Sequence, residues 1–280
     1  MIPIVLRLGP FAIYSYGLMM GLGIIAAGVA CTSEFKRRGY KGEWASTLVV
    51  WSAISGVVGS RIYDIIDNWP HYAANPLDMI FSSAGFVWYG GLMGGAIASY
   101  FVARYYRIPW LVLTDMAVPG LAIGHAIGRI GCLLSGDGDW GTVSNLPWAM
   151  AYPNAIVGWN GQTVLKLDSH NHLVSAFYPG VRVHPAPVYE TILYTGVFLV
   201  LWSLRKKPHV DGQIVYLYLI LAGACRFLVE FVRVNPRVLW GLSEAQLIAL
   251  VMIAIGVTAY AWSNATAPPK TAAQQALEIG

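Results

Sequence analysis

Charge is what this sequence has least of: only 11% of its 280 residues are Asp, Glu, Lys or Arg, where soluble domains carry about 25%. That scarcity comes with 56% apolar residues and a mean hydropathy of +0.55. Together they exclude an ordinary soluble domain and point to a protein of the bilayer. Cysteine is scarce too. Cys31, Cys132 and Cys225 all fall within or beside apolar stretches, so no disulfide framework is implied. No repeat of fixed period and no low-complexity tract is present. The net charge of +4 is no nucleic-acid signal, because basic clusters in three short loops account for it.

What is present is a series of apolar stretches long enough to span a membrane (about 17–25 residues). They are read at 11–32, 44–62, 86–104, 111–134, 186–204, 213–233 and 245–263. Backbone polar groups in lipid must be satisfied internally, so each is expected to be helical. The first is not read as a secretory signal, since only Arg7 precedes it and no Ala-x-Ala cleavage pattern follows. Thirty glycines, several inside the spans (Gly90, Gly91, Gly94, Gly95), suit close helix packing in lipid.

Lys36, Arg37, Arg38 and Lys41 fill one loop, Arg104 and Arg107 another, and Arg205, Lys206 and Lys207 a third, while 63–85 holds no Lys or Arg. The positive-inside rule makes the three basic loops cytoplasmic and leaves the N-terminus outside. The expected fold is an all-α integral membrane protein of about seven transmembrane helices with a small periplasmic subdomain. A membrane domain at 1–263 would carry that insertion at 135–185, and 264–280 would be a disordered cytoplasmic tail. Within the insertion, short strands are expected at 162–167 and 172–178 around a turn at Asp168–Asn171. Trp148, Trp159 and Trp240 read as interfacial anchors. His170 and His172 lack convincing metal partners; no metal or cofactor is expected.

The remaining basic residues do not follow from topology. Arg61, Arg129, Arg226 and Arg233 fall in the outer portions of outward-running spans, at the depth of Tyr14, Tyr16, Trp88, Tyr89, Tyr189 and Glu190. An arginine at a helix centre in lipid costs about 2.5–3.5 kcal/mol. Snorkelling or a structural ion pair accounts for Arg61 and Arg233 taken singly; Arg129 and Arg226 lie deeper. Arg226, Glu230 and Arg233 recur at helical spacing and share a face. Glu230 can neutralise one of these arginines and Glu190 another, which leaves an excess of positive charge. A phosphate-bearing ligand completes the account, since guanidinium matches phosphate bidentately.

These residues carry a resemblance. Leu8-Gly9-Pro10, Tyr16-Gly17-Leu18-Met19, Gly59-Ser60-Arg61-Ile62 and Gly90-Gly91-Leu92-Met93-Gly94 occur in the order seen in the prolipoprotein diacylglyceryl transferase family. Gly128-Arg129-Ile130-Gly131-Cys132 with Ser135-Gly136-Asp137, His184-Pro185-Ala186-Pro187-Val188-Tyr189-Glu190 and Arg226-Phe227-Leu228-Val229-Glu230-Phe231-Val232-Arg233 continue it. The chain resembles that family over most of its length. The resemblance implies transfer of the diacylglyceryl group of phosphatidylglycerol to the lipobox cysteine thiol of a preprolipoprotein, with release of glycerol phosphate, in the bacterial inner membrane. It implies Arg129 and Arg226 as the central pair, supported by Glu230, Arg233, Arg61 and Tyr16. The partners it implies are phosphatidylglycerol, the preprolipoprotein signal peptide and membrane lipids, with no nucleic acid.

The chain departs from the family at Tyr89, where a histidine is usual, at Cys132, where the arginine motif has asparagine, and at Ala222, where a tyrosine is expected. Asp137 replaces the usual glutamate, and Gly138-Asp139 looks like a one-residue insertion. A tyrosine of ordinary pKa near 10 is a poor base at neutral pH. His125, four residues before Arg129 on the same helix face, is a substitute base or else a neutral histidine hydrogen-bonded to a neighbour. Asp137 and Asp139 hold an arginine, orient the acceptor or are solvated loop residues. Tyr189 and Glu190 anchor their helix or serve the site. Three functions stay open: the lipoprotein-maturing transferase, a paralogue that uses phosphatidylglycerol with another acceptor, and a phospholipid-binding or transport protein without the chemistry.

Overall fold

The computed structural model describes residues 1–9, 11–74, 88–157, 159, 163–168, 171, 173–177 and 180–266. Each of the seven apolar stretches carries a helix. Five of these helices are long and apolar enough to cross a membrane. The chain divides into two compact units, residues 2–135 and residues 136–280 with Met1.

The first unit opens with a hairpin of β1 (Ile4–Leu8) and β2 (Phe11–Tyr14), paired Arg7 to Ala12 and Leu8 to Phe11. Residues 11–14, expected to begin the first span, are therefore strand. The backbone N–H of Ser15 donates to Pro3 O at 2.9 Å, which turns the chain from the hairpin into α1 (Ser15–Arg37). There follow α2 (Gly42–Asp67), the short α3 (Trp69–Ala74), α4 (Trp88–Tyr106) and α5 (Trp110–Ser135).

Glycine decides how these helices pair. A Cβ added to Gly120 would lie 2.8 Å from both Ala27 O and Cys31 Sγ, and one on Gly23 would lie 2.9 Å from Gly124 O. The backbones of α1 and α5 thus touch directly. In the same way Gly59 meets Gly90, and Gly94 meets Ser55, where α2 crosses α4. At one end of this unit Phe35, Ala45, Leu48, Ala103, Leu113 and Met116 form an apolar core. Two buried acids lie beside it: Glu34 pairs with Arg37 at 2.7 Å and Asp115 with Arg38 at 3.6 Å.

The second unit begins with an irregular segment. Gly141 N donates to His184 O (2.8 Å), His184 N to Thr142 O (3.0 Å), and Val183 exchanges hydrogen bonds with Met150. β3 (Thr163–Leu167) and β4 (Leu173–Phe177) pair in antiparallel register where sequence expected them. His170 and His172 lie outside the described residues. Next come α6 (Ala186–Leu204), α7 (Gln213–Val229), a hairpin of β5 (Arg237–Leu239) and β6 (Leu242–Ser243), and α8 (Glu244–Thr266). Gly223 against Ala249, and Gly256 against Tyr216, bring antiparallel α7 and α8 into backbone contact.

Two boundaries differ from expectation. Helix α7 stops at Val229 rather than 233, because Val232 O accepts from Thr142 N at 2.7 Å and Arg233 bridges to Gly141. Pro236 also disfavours helical backbone before it. The last helix runs to Thr266, so residues 264–266 belong to it rather than to a tail; 267–280 lie outside the described residues.

Gly120→Val is expected to lower the thermal unfolding midpoint in detergent, at a cost of about 1–3 kcal/mol. Gly21→Ala, where an added Cβ meets nothing within 4 Å, is the control and is expected to melt with the parent chain. Equal midpoints for both variants would refute direct backbone contact between α1 and α5.

Candidate functional site

In the first unit the arginine motif lies on α5. Arg129 Nε–H donates to His125 Nε2 at 3.4 Å, and Arg129 Nη1 approaches Cys132 Sγ at 3.6 Å. Positions four before and three after an arginine share its helix face, so three chemically active side chains stand together without any tertiary fold being required. A ring nitrogen that accepts from a guanidinium carries no proton of its own. The one lone pair of His125 Nε2 is therefore engaged by Arg129, and the ring can act as a base only when Arg129 releases it. Gly131 lets Tyr16 come close: a Cβ there would sit 3.4 Å from Tyr16 Cα. Tyr16 lies in the first turn of α1 and is 42% exposed.

Arg61 has a different setting. It pairs with Asp64 at 3.4 Å and lies over the Tyr72 ring at 5.3 Å. Asp64 also accepts from Tyr72 Oη (2.5 Å) and from Asn68 Nδ2 (3.0 Å). This network ties the end of α2 to α3, which supports the ion-pair reading of Arg61. Tyr89 lies in the first turn of α4, and its side chain is outside the described residues.

The second unit holds a denser cluster. Glu190, fully buried on α6, places Oε1 3.2 Å from Arg226 and 3.4 Å from Arg233. Glu230 Oε2 lies 3.1 Å from Arg226 Nη2, and Asp139 Oδ1 lies 2.6 Å from Arg233 Nη2. The expected surplus of positive charge covered Arg61, Arg129, Arg226 and Arg233 together; at Arg226 and Arg233, among the described residues, three carboxylates face the two guanidiniums. Asp139 is the third, carried in by the irregular segment, and it holds Arg233. Asp137 Oδ1 accepts from the Asp139 backbone N–H at 3.2 Å and shapes that turn.

The two arginines differ in what they present. The Arg226 side chain keeps 26% of its surface and Arg233 only 11%. Arg233 is drawn into its carboxylates; Arg226 is held by two of its nitrogens and shows the rest. Tyr189 faces elsewhere, accepting from Trp148 Nε1 at 2.8 Å and meeting His184 Nδ1 at 3.1 Å. Burial lowers the pKa of His184 and favours its neutral form. Tyr189 thus anchors the helix while Glu190 serves the cluster.

Sequence reading missed the support behind Glu230. Ser243 Oγ–H donates to Glu230 Oε1 at 2.8 Å, and Asn235 Nδ2 donates to the same oxygen at 2.5 Å. Ser243 also begins α8 with a reciprocal cap. Its Oγ accepts from Gln246 N–H (3.3 Å), and Gln246 Oε1 accepts from Ser243 N–H (3.1 Å). The Ser-x-x-Gln spacing at 243–246 was the available signal.

Glu190→Gln would leave two guanidiniums short of their shared carboxylate in buried surroundings, an expected loss of about 3–5 kcal/mol. Asp139→Asn should cost less, since the Asp139 side chain is 31% exposed. Thermal unfolding in detergent measures both, and equal losses would contradict the central place of Glu190.

Compared with known proteins, residues 3–262 match the family model described as prolipoprotein diacylglyceryl transferase. A phosphatidylglycerol–prolipoprotein diacylglyceryl transferase of Dehalococcoides mccartyi is 32% identical over 258 residues, 91% of this chain and 91% of that protein. One from Pseudomonas paraeruginosa is 31% identical over 283 residues, 96% and 97% of the two chains. One from Clostridioides difficile is 29% identical over 248 residues, 88% and 89%.

Proposed function

The chain belongs to the prolipoprotein diacylglyceryl transferase family, and on that premise we propose how its own residues carry out the transfer. The donor is phosphatidylglycerol and the acceptor the lipobox cysteine of a preprolipoprotein. The acceptor sulfur attacks the glyceryl carbon bonded to the phosphate oxygen. A C–S bond forms, the C–O bond breaks, and its electron pair leaves on glycerol phosphate. A phosphodiester with one negative charge becomes a monoester that approaches two, since its second pKa is about 6. Cationic donors fixed where that charge develops lower the barrier.

Arg129 and Arg226 take this role. Contacts to His125 and Cys132 orient Arg129, and Glu190 and Glu230 orient Arg226. Fixed guanidiniums need little reorganisation during reaction. Arg233 acts at one remove by completing the carboxylate cluster, and Arg61 by closing the end of α2. His125 accepts the thiol proton at Nε2 once Arg129, whose Nε–H occupies that lone pair, turns to the phosphate of the donor. Family membership carries the reading of the reaction. The changed residues Tyr89 and Cys132 favour, as a second reading, the same donor with another acceptor.

We further propose that all seven long helices cross the bacterial inner membrane, with the N-terminus and residues 136–185 outside. The Lys and Arg clusters at 36–41, 104–107 and 205–207 support this orientation. A membrane-impermeant maleimide is expected to label Ser175→Cys in intact cells and Lys206→Cys only after permeabilisation. Both positions are exposed; the opposite pattern would invert the topology.

With phosphatidylglycerol vesicles and a lipobox peptide, the parent chain is expected to release glycerol phosphate and modify the peptide. Arg129→Ala and Arg226→Ala are each expected to lower turnover at least about 10²–10³-fold. Unchanged turnover in either would remove that arginine from the chemistry. His125→Gln should lose about 10²-fold, and full activity would end its role as base. Release without peptide modification would favour the other acceptor. Bound lipid with no release would mean a binding protein.

A further inference from the structure

The β5–β6 hairpin breaks a local rule in a place where no contact among the described residues requires it. Leu239 pairs with Leu242, so Trp240 and Gly241 form a two-residue loop. Both have positive φ, 51° and 72°, the signature of a type I′ turn. Such turns favour Asn-Gly or Asp-Gly, and a bulky residue in the first position is sterically costly. Trp240 nevertheless stands there with 84% of its surface exposed. Packing within the chain therefore does not repay the strained backbone.

The tip is apolar throughout: Val238 is 65% exposed and Leu239 47%. At the end of α7, Leu228 (59%) and Phe231 (55%) are also exposed apolar side chains. Chain length limits how far the tip can travel from lipid. Trp240 precedes α8, the most apolar of the candidate spans, by four residues, a reach of at most about 14 Å. The polar layer on each face of a bilayer is about 5–8 Å deep. Tryptophan is the side chain suited to that layer, apolar in its rings and polar at its N–H.

We propose that the β5–β6 hairpin is a membrane-interface foot, with Trp240 seated at the boundary between lipid headgroups and acyl chains. The foot is tied to the arginine cluster. Ser243, the last residue of β6, donates to Glu230, and Glu230 pairs with Arg226. Seating Trp240 thus sets the depth at which Arg226 is held. This consequence rests on the transferase reading; the seating itself does not.

The test uses the full chain in phosphatidylglycerol-containing vesicles. Val238→Cys is labelled with an environment-sensitive fluorophore, the parent chain with buried Cys31, Cys132 and Cys225 serving as the labelling control. Quenching by lipids that carry a nitroxide near the headgroup, with protection from aqueous iodide, is expected. Quenching by iodide alone would overturn the proposal. Trp240→Asn, which suits the turn, is expected to melt in detergent at the parent midpoint or above; a lower midpoint would mean that Trp240 serves the fold and overturn the proposal. In vesicles the same variant should lower kcat for phosphatidylglycerol about fivefold with KM retained. An unchanged kcat would cut the link to Arg226, whereas absent turnover in the parent chain would sink the transferase reading and leave the depth result standing.

Discussion

A charge taken out of water must be matched by another charge or by directed hydrogen bonds, and this requirement organises both units of the chain. In the first unit Asp115 is matched by Arg38, Glu34 by Arg37, and Asp64 by Arg61 with help from Tyr72 and Asn68. In the second unit Glu190 stands between Arg226 and Arg233. Glu34–Arg37 and Arg61–Asp64 lie within one helix each, whereas Arg38–Asp115 and Glu190–Arg226 join different helices near their ends. Replacing such a pair by apolar residues could leave stability unchanged. What the pairs add is direction: a guanidinium held by two carboxylates points one way.

Direction is what the chemistry needs. Phosphoryl oxygens that gain charge during bond cleavage are stabilised by donors already in place, and a donor that must first be oriented contributes less. Arg226 has that fixed orientation from Glu190 and Glu230, and Arg129 has it from His125 and Cys132. Carboxylates so close to Arg226 reduce the net attraction for an anion. The cluster is therefore better suited to aiming a guanidinium than to concentrating lipid by charge. His125 and Cys132 approach Arg129 from its own helix, whereas Arg226 is held by carboxylates on α6 and at the end of α7.

Much of this was legible without coordinates. The seven helices followed from apolar length, and the β3–β4 strands followed from turn residues at Asp168–Asn171. The His125, Arg129 and Cys132 face followed from helical periodicity alone. Glycine content announced close packing but not the partners: Gly120 alone does not say that it meets Ala27 and Cys31. Ser243 was legible as half of a Ser-x-x-Gln cap, whereas its bond to Glu230 was not, because the cap explains only its local contacts.

Sequence by itself determined the apolar helices and the family, since each depends on local composition or on motifs that survive in order along the chain. Tertiary structure alone decided the charge balance around Arg226. Asp139 is 87 positions from Arg226 in the numbering, yet it enters the same cluster through Arg233. Tertiary structure also decided where the helix carrying Arg226 ends, because the 141–142 backbone competes for the hydrogen-bonding groups that would have continued it. Both outcomes depend on pairing between distant segments. Periodicity and spacing describe neighbours along a helix, and electrostatic pairing acts through space.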